Sequence, residues 1–248
     1  MKKLLSLWCL LLLLACGKES GNMLDSNTAK NGSLSRFAIK DQCMYALDFD
    51  ALIVFDISDN NRPELKNTLK LDFGIETISI YGNYIYVGAI NGIYIVDIKS
   101  AFNPILLQKV EHHISCDPVV IQNDIAYSTQ RSNAVDCGNA WSRSLLLVYD
   151  VKDPINPKEV NSLAMEKPYG LAVENNWLFV CDEGRNGVVI FDISQPDKPY
   201  EKGIIAVKEA RDIILTYPYM IISTKTDFKI FNYSNVLSTY YLSSITLY

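Results

Sequence analysis

An all-β ring of five four-stranded sheets, a five-bladed β-propeller, is the fold this sequence predicts, and three observations predict it. An apolar run ending in an acid recurs along the chain as LIVFDIS, IYIVDIK, LLVYDVK, VVIFDIS and, with Asn in place of Asp, FKIFNYS. The anchors Asp56, Asp97, Asp150, Asp192 and Asn232 fall 41, 53, 42 and 40 residues apart. A proline stands seven residues beyond each of the first four, at Pro63, Pro104, Pro157 and Pro199. A period near 40 residues of β-rich sequence marks units that cannot bury both faces alone and must pack around an axis.

Each unit reads as four strands, a to d. In TISIYGNYIYVGAINGIYIVDI (77–98), turns at Gly82-Asn83 and Asn91-Gly92 separate three β-rich runs, and a fourth such as ILLQKVE follows the proline. The blades then occupy about 34–73, 74–114, 115–166, 167–208 and 209–248. A β-sandwich or a solenoid of hairpins would space its turns less regularly or need no fourth strand. The run from LSRFAIKD to STYYLSSITLY makes every blade complete within one repeat. Ring closure is therefore expected from blade five packing onto blade one.

Ahead of this lies Lys2-Lys3 and a twelve-residue apolar stretch, LLSLWCLLLLLA, too short to span a bilayer and suited to a signal peptide at 1–15. It ends in LLAC, which resembles the lipobox of bacterial lipoproteins, and this implies a diacylated Cys16 at the mature N-terminus. The following CGKES resembles in part the signal that directs some lipoproteins to the outer membrane surface. Residues 16–33 read as a lipidated, flexible tether and 34–248 as the propeller. The expected location is the cell envelope, with the lipid as the link to the membrane.

Losing Lys2 and Lys3 takes the basic count from 23 to 21 against 28 acids, and no Lys/Arg run remains, so nucleic acid is not an expected partner. Nothing in the sequence calls for a cofactor. The runs at 48–50 and 56–61 lack the ligand spacing of a calcium loop, and there is no Gly-x-Ser-x-Gly elbow. No catalytic residue or metal ligand is assigned.

The recurring LIVFD and LLVYD runs, followed by Asn-Pro or a near equivalent, resemble the LVIVD repeat of bacterial and archaeal cell-surface proteins. That resemblance implies a propeller and no agreed activity. The anchor acids sit where strand c ends. There, Asp or Asn accepts backbone N–H groups as a turn cap, and Asn232 serves as well as Asp.

Superposing the repeats on their b-strand starts aligns Ser35, Glu76, Asp117, Tyr169 and Arg211, and next to them Arg36, Thr77, Pro118, Gly170 and Asp212. These residues open the innermost strands and are expected to ring one mouth of the channel. The long third interval falls in a b to c loop on the same face, STQRSNAVDCGNAWSRS (128–144), carrying Arg131 and Trp141. His112 and His113, the only histidines, open onto that face too. Cys137 is expected to pair with Cys116 as a disulfide pinning the loop, with Cys43 and Cys181 left as buried free thiols. The candidate binding residues are Glu76, His112, His113, Asp117, Arg131, Trp141, Tyr169, Arg211 and Asp212. The first functional expectation is a binding or scaffold module holding a protein or saccharide partner. The second is a glycan-active enzyme using Glu76, Asp117 and Asp212 as carboxylates across the mouth.

Overall fold

A computed structural model describes residues 32–59, 61–111, 118–131 and 143–247. Among the described residues the strands form five sheets of four antiparallel strands, each ordered a-b-c-d. Blades one to five run over 37–70, 75–111, 119–164, 168–206 and 212–246. Strand a is innermost: the a strands of successive blades approach one another, whereas the d strands lie at the rim.

Short-range chemistry sets these hairpins. Four of the five a–b turns use residues with positive φ: Asp41, Gly82, the pair Asn123 and Asp124, and Asn175. A two-residue turn matching strand twist demands that conformation, and Asn, Asp and Gly adopt it at least cost.

The anchors do what a turn cap does, in all five blades. Each side-chain oxygen accepts the N–H two residues on: Asp56 from Ser58 (2.9 Å), Asp97 from Lys99 (2.7 Å), Asp150 from Lys152 (3.0 Å), Asp192 from Ser194 (2.9 Å) and Asn232 from Ser234 (2.9 Å). The residue between donates its N–H to the neighbouring a–b turn, as Ile57 does to Gln42 and Ile193 to Asn176, both at 2.8 Å. A slip of register in the c–d ladder recurs at the same place in every blade, leaving Lys66, Leu107, Val160, Lys202 or Leu242 as the extra residue on strand d. Such bulges twist the outermost strand and blunt it as an edge for pairing.

Four hydrophobic clusters hold neighbouring blades together: one between blades one and two, one between two and three, one between three and four, and one between four and five. Polar stitches repeat at alternate interfaces. The Tyr45 hydroxyl and Asn67 Nδ2 of blade one donate to the Ala101 and Phe102 carbonyls of blade two (3.0 and 2.9 Å). Tyr127 and Asn161, at the equivalent positions of blade three, donate to Pro196 and Asp197 of blade four (2.8 and 3.0 Å). Cys43 and Cys181 are buried free thiols.

The expected packing of blade five on blade one is not found in the core clusters of the described residues, none of which contains both blades. The two are joined instead by the segment at 32–35. The Ser33 N–H and hydroxyl donate to Asp212 Oδ1 (3.1 and 2.8 Å), Leu34 N–H donates to Oδ2 (3.2 Å), and Ser35 C=O accepts from Ile78 N–H of blade two (3.0 Å). Ser33, whose surroundings in sequence read as tether, is buried.

Because Asn232 already serves at the fifth anchor, Asp97→Asn should leave the denaturation midpoint nearly unchanged. Asp97→Ala, which leaves the Lys99 N–H without its acceptor, should lower the thermal midpoint by roughly 2–4 °C. A midpoint unmoved by the alanine would remove the capping role, and urea or thermal melts of the two variants decide it.

Candidate functional site

The starts of strands a, the b–c turns and the d–a connections share one end of the ring. Backbone hydrogen bonds join them there: Ile90 N–H to Gly74 C=O (3.0 Å), Glu183 to Lys167 (2.9 Å) and Arg211 to Ser223 (2.8 Å). At this end strand b of blade three finishes at Gln130, two residues beyond the expected start of the 128–144 loop, and strand c begins at Leu145.

In blade four the innermost strand, Pro168–Glu174, leaves the ladder for two residues: Pro168 faces Asp182 and the next pair is Leu171 with Val180. Tyr169 and Gly170 are thereby freed to bind the neighbouring blades. The Tyr169 carbonyl accepts from Thr129 Oγ1 of blade three (2.6 Å), and Gly170 N–H donates to the Arg211 carbonyl of blade five (2.7 Å). A Cβ on Gly170 would run into the Asp212 carboxylate and the Arg211 carbonyl, so the close approach requires glycine.

This detour presents the Tyr169 ring to two arginines. The Arg131 guanidinium carbon lies 3.9 Å from the ring centroid and that of Arg211 3.8 Å. Two guanidinium groups that close to one centroid would overlap on one side, so they sit on opposite faces. Each cation–π contact of this kind contributes about 0.5–2 kcal/mol. Their mutual repulsion is offset by Glu183, paired with Arg211 Nη2 at 3.1 Å, Lys167 Nζ at 3.2 Å and Lys225 Nζ at 3.5 Å. Burial pushes the Glu183 carboxyl up, but Lys167, the Tyr169 hydroxyl and Arg211 together hold it below its ordinary value. Lys225 also pairs with Glu209 at 2.7 Å. Arg131, Arg211, Lys167 and Lys225 thus gather around the Tyr169 ring and Glu183. With both ring faces covered, Tyr169 organises guanidinium edges and offers no stacking surface of its own.

Asp182 holds the scaffold of this patch, and its part is not visible in the sequence. It is 0% exposed and accepts four backbone N–H groups, from Lys167 (2.8 Å), Glu166 (3.0 Å), Gly184 (3.1 Å) and Arg185 (3.4 Å). It thus fixes the connection bearing Lys167 to the turn bearing Glu183.

Of the residues expected at the mouth, Arg131, Tyr169 and Arg211 converge, one from each of three successive blades. Glu76 lies on blade two at the register slip between Ile75 and Thr77. Asp212 is corrected: it does not face the mouth as a binding carboxylate but is occupied by Ser33 and Leu34. Burial raises its carboxyl above the ordinary range even though the Ser33 hydroxyl and the N–H groups of Leu34, Ile213 and Ser33 favour the ionised form. His112, His113, Asp117, Trp141 and the expected Cys116–Cys137 disulfide lie outside the described residues, as does Cys16.

Residues 76–111 and 169–207 match the LVIVD repeat. The two matched stretches coincide with blades two and four. No curated protein sequence matches the chain. Among solved structures it is similar to a functionally unknown protein from Desulfotomaculum acetoxidans (TM-score 0.68, 9% identity, covering 89% of this chain and 69% of that one). It is also similar to the periplasmic gluconolactonase of Pseudomonas aeruginosa (0.64, 9%, 83% and 67%) and to a putative 6-phosphogluconolactonase from Bacteroides fragilis (0.64, 10%, 85% and 69%). At these identities the similarity concerns the propeller fold alone.

Removing the carboxylate with Asp212→Ala leaves the donors of Ser33 and Leu34 unmatched and should cost about 1–3 kcal/mol in denaturant unfolding. The raised carboxyl also sets a sign with pH. The folded state disfavours the ionised form, so this contribution is fullest below the ordinary carboxylate range and is lost as pH rises through the raised value. Asp212→Asn cannot ionise. The stability of the native chain minus that of Asp212→Asn should therefore fall with rising pH and then level off; a difference that grows with pH would contradict the burial argument.

Proposed function

We propose that the protein is a lipid-anchored binding module of the cell envelope that holds an acidic partner, protein or saccharide, on the propeller face bearing the 128–144 loop. The observation that carries this reading is the Arg131–Tyr169–Arg211 stack. Three successive blades each commit one residue to it, at the end where the longest loop begins. Surface charges scattered to keep a protein soluble are not held in this way. Guanidinium groups fixed by an aromatic ring and a carboxylate are pre-ordered donors for carboxylate or phosphate groups, since their side-chain entropy is already lost.

The envelope location and the acyl anchor rest on the LLAC sequence ending at Cys16, and the loop disulfide on the expected closeness of Cys116 and Cys137. The glycan-active reading is weaker, because one of its three carboxylates, Asp212, already has its hydrogen-bonding capacity occupied by the chain itself.

Cross-linking in intact cells, followed by identification of what is captured, tests the module. Deleting 130–142, or replacing both Arg131 and Arg211 by Gln, should abolish capture while the thermal midpoint shows that the blades persist. Capture retained in both variants would overturn the reading. Cys16→Ser should release the protein from membranes into the soluble fraction and remove the acyl mass from its N-terminal peptide. An unchanged distribution would exclude the lipid as the anchor.

A further inference from the structure

Among the described residues, two sheet faces are not covered by a neighbouring blade. In blades two, three and four, strands b and c are buried on both faces almost throughout. Blade one buries Cys43, Tyr45, Leu52 and Val54 against blade two, while Met44, Ile53 and Phe55, on the other face, remain partly exposed. Phe37 and Leu65, which pair in register with Ala46 and Phe55 on that open face, are 49% and 62% exposed. Blade five shows the reverse. Met220, Ile222 and Phe231 are buried against blade four, and the opposite face carries Tyr219, Ile221, Phe228, Ile230 and Ile245. Phe228 and Ile245 are 36% and 59% exposed.

We infer that these faces are the two halves of one interface and that it forms between copies of the chain, blade one of one copy seating on blade five of the next. Repeat equivalence selects this occupant. Met44 stands where Ile85, Ala126, Leu178 and Met220 stand in the other blades, and at those positions the side chain meets the preceding blade. Ile221 stands where Tyr45, Tyr86, Tyr127 and Phe179 stand, and there it meets the following one. The open faces are thus the complementary members of a contact the chain already makes four times. A second copy offers each of them the matching surface.

Within one copy, no core cluster of the described residues makes this contact. Residues 32–35 bind Asp212 of blade five and Ile78 of blade two, and the Ser33 hydroxyl also accepts the Leu171 N–H of blade four (2.8 Å). This segment ties blades two, four and five together near the axis. A contact of blade one with blade five is head to tail, so it leaves a free face at each end and extends unless its rotation closes a ring.

Co-expression of two full-length copies with different tags, capture of one tag from detergent-treated cells and detection of the other test the inference. Phe37→Lys with Leu65→Lys marks the blade-one face, and Phe228→Lys with Ile245→Lys marks the blade-five face. These four side chains are exposed, and lysine there should leave the fold intact. The native pair should co-purify. Two copies both marked on blade one, or both on blade five, should lose at least roughly tenfold in recovery, because a lysine buried without a partner costs more than one decade in affinity. One copy of each kind should co-purify like the native pair, since one unaltered interface remains, and this rescue also shows that both variants fold. Absence of co-purification in the native pair would overturn the inference, whether a copy closes on itself or residues 1–31 cover the faces. Loss in the mixed pair, or retention in the like pairs, would overturn it too.

Discussion

A sheet with apolar side chains on both faces has to be covered twice, and that requirement underlies most of what this chain does. In blades two to four, strands such as Gly187–Asp192 are buried from end to end, which only neighbours on both sides can supply. Burying apolar surface contributes about 25 cal/mol per Å², so each inter-blade cluster outweighs any single polar contact in the ring. Stacking around an axis is the arrangement that gives every interior sheet two neighbours. It also leaves the first and last sheets dependent on something else.

Polar groups in this frame serve mainly to finish strands. The five anchors, Asp182 and Asp212 are seven side chains that accept backbone N–H groups. The distinction between capping and catalysis is one of geometry. Asp182 Oδ1 alone receives three N–H donors, which leaves that oxygen no lone pair to take a substrate proton. Glu183 is different, because its partners are side-chain cations at the surface of the mouth, which a ligand could compete for. The acids that recur along the chain finish turns, whereas the cations gathered around Tyr169 do not recur.

Much of the fold is legible in the sequence because its determinants are local. Anchor, bulge and proline act within a dozen residues, and an a–b turn is set by one or two residues able to take positive φ. What escapes notice is non-local or position-specific. Ser33 and Asp212 meet across 179 residues, and nothing near Ser33 marks it as buried. The position of Asp182 is filled by Asp48, Ala89, Gln130 and Thr224 in the other blades, so superposing the repeats hides it. The open faces are hidden for a further reason: Phe55 and Ile230 obey the same alternation as their buried equivalents, and alternation does not report whether a neighbour is present.

The site shows the same division. Aligning the repeats brings Tyr169 and Arg211 to one position and places Arg131 at the root of the loop on their face, because ring symmetry converts equal register into spatial proximity. Equal register does not determine which way each side chain turns. Arg211 and Asp212 are adjacent, and consecutive residues at the start of a strand point to opposite sides, so one reaches the mouth and the other the axis. That alternation separates two tasks at one point of the chain: Asp212 secures the 32–35 segment, while Arg211 completes the cationic stack. A change in the seating of 32–35 would reach the stack through a single peptide bond.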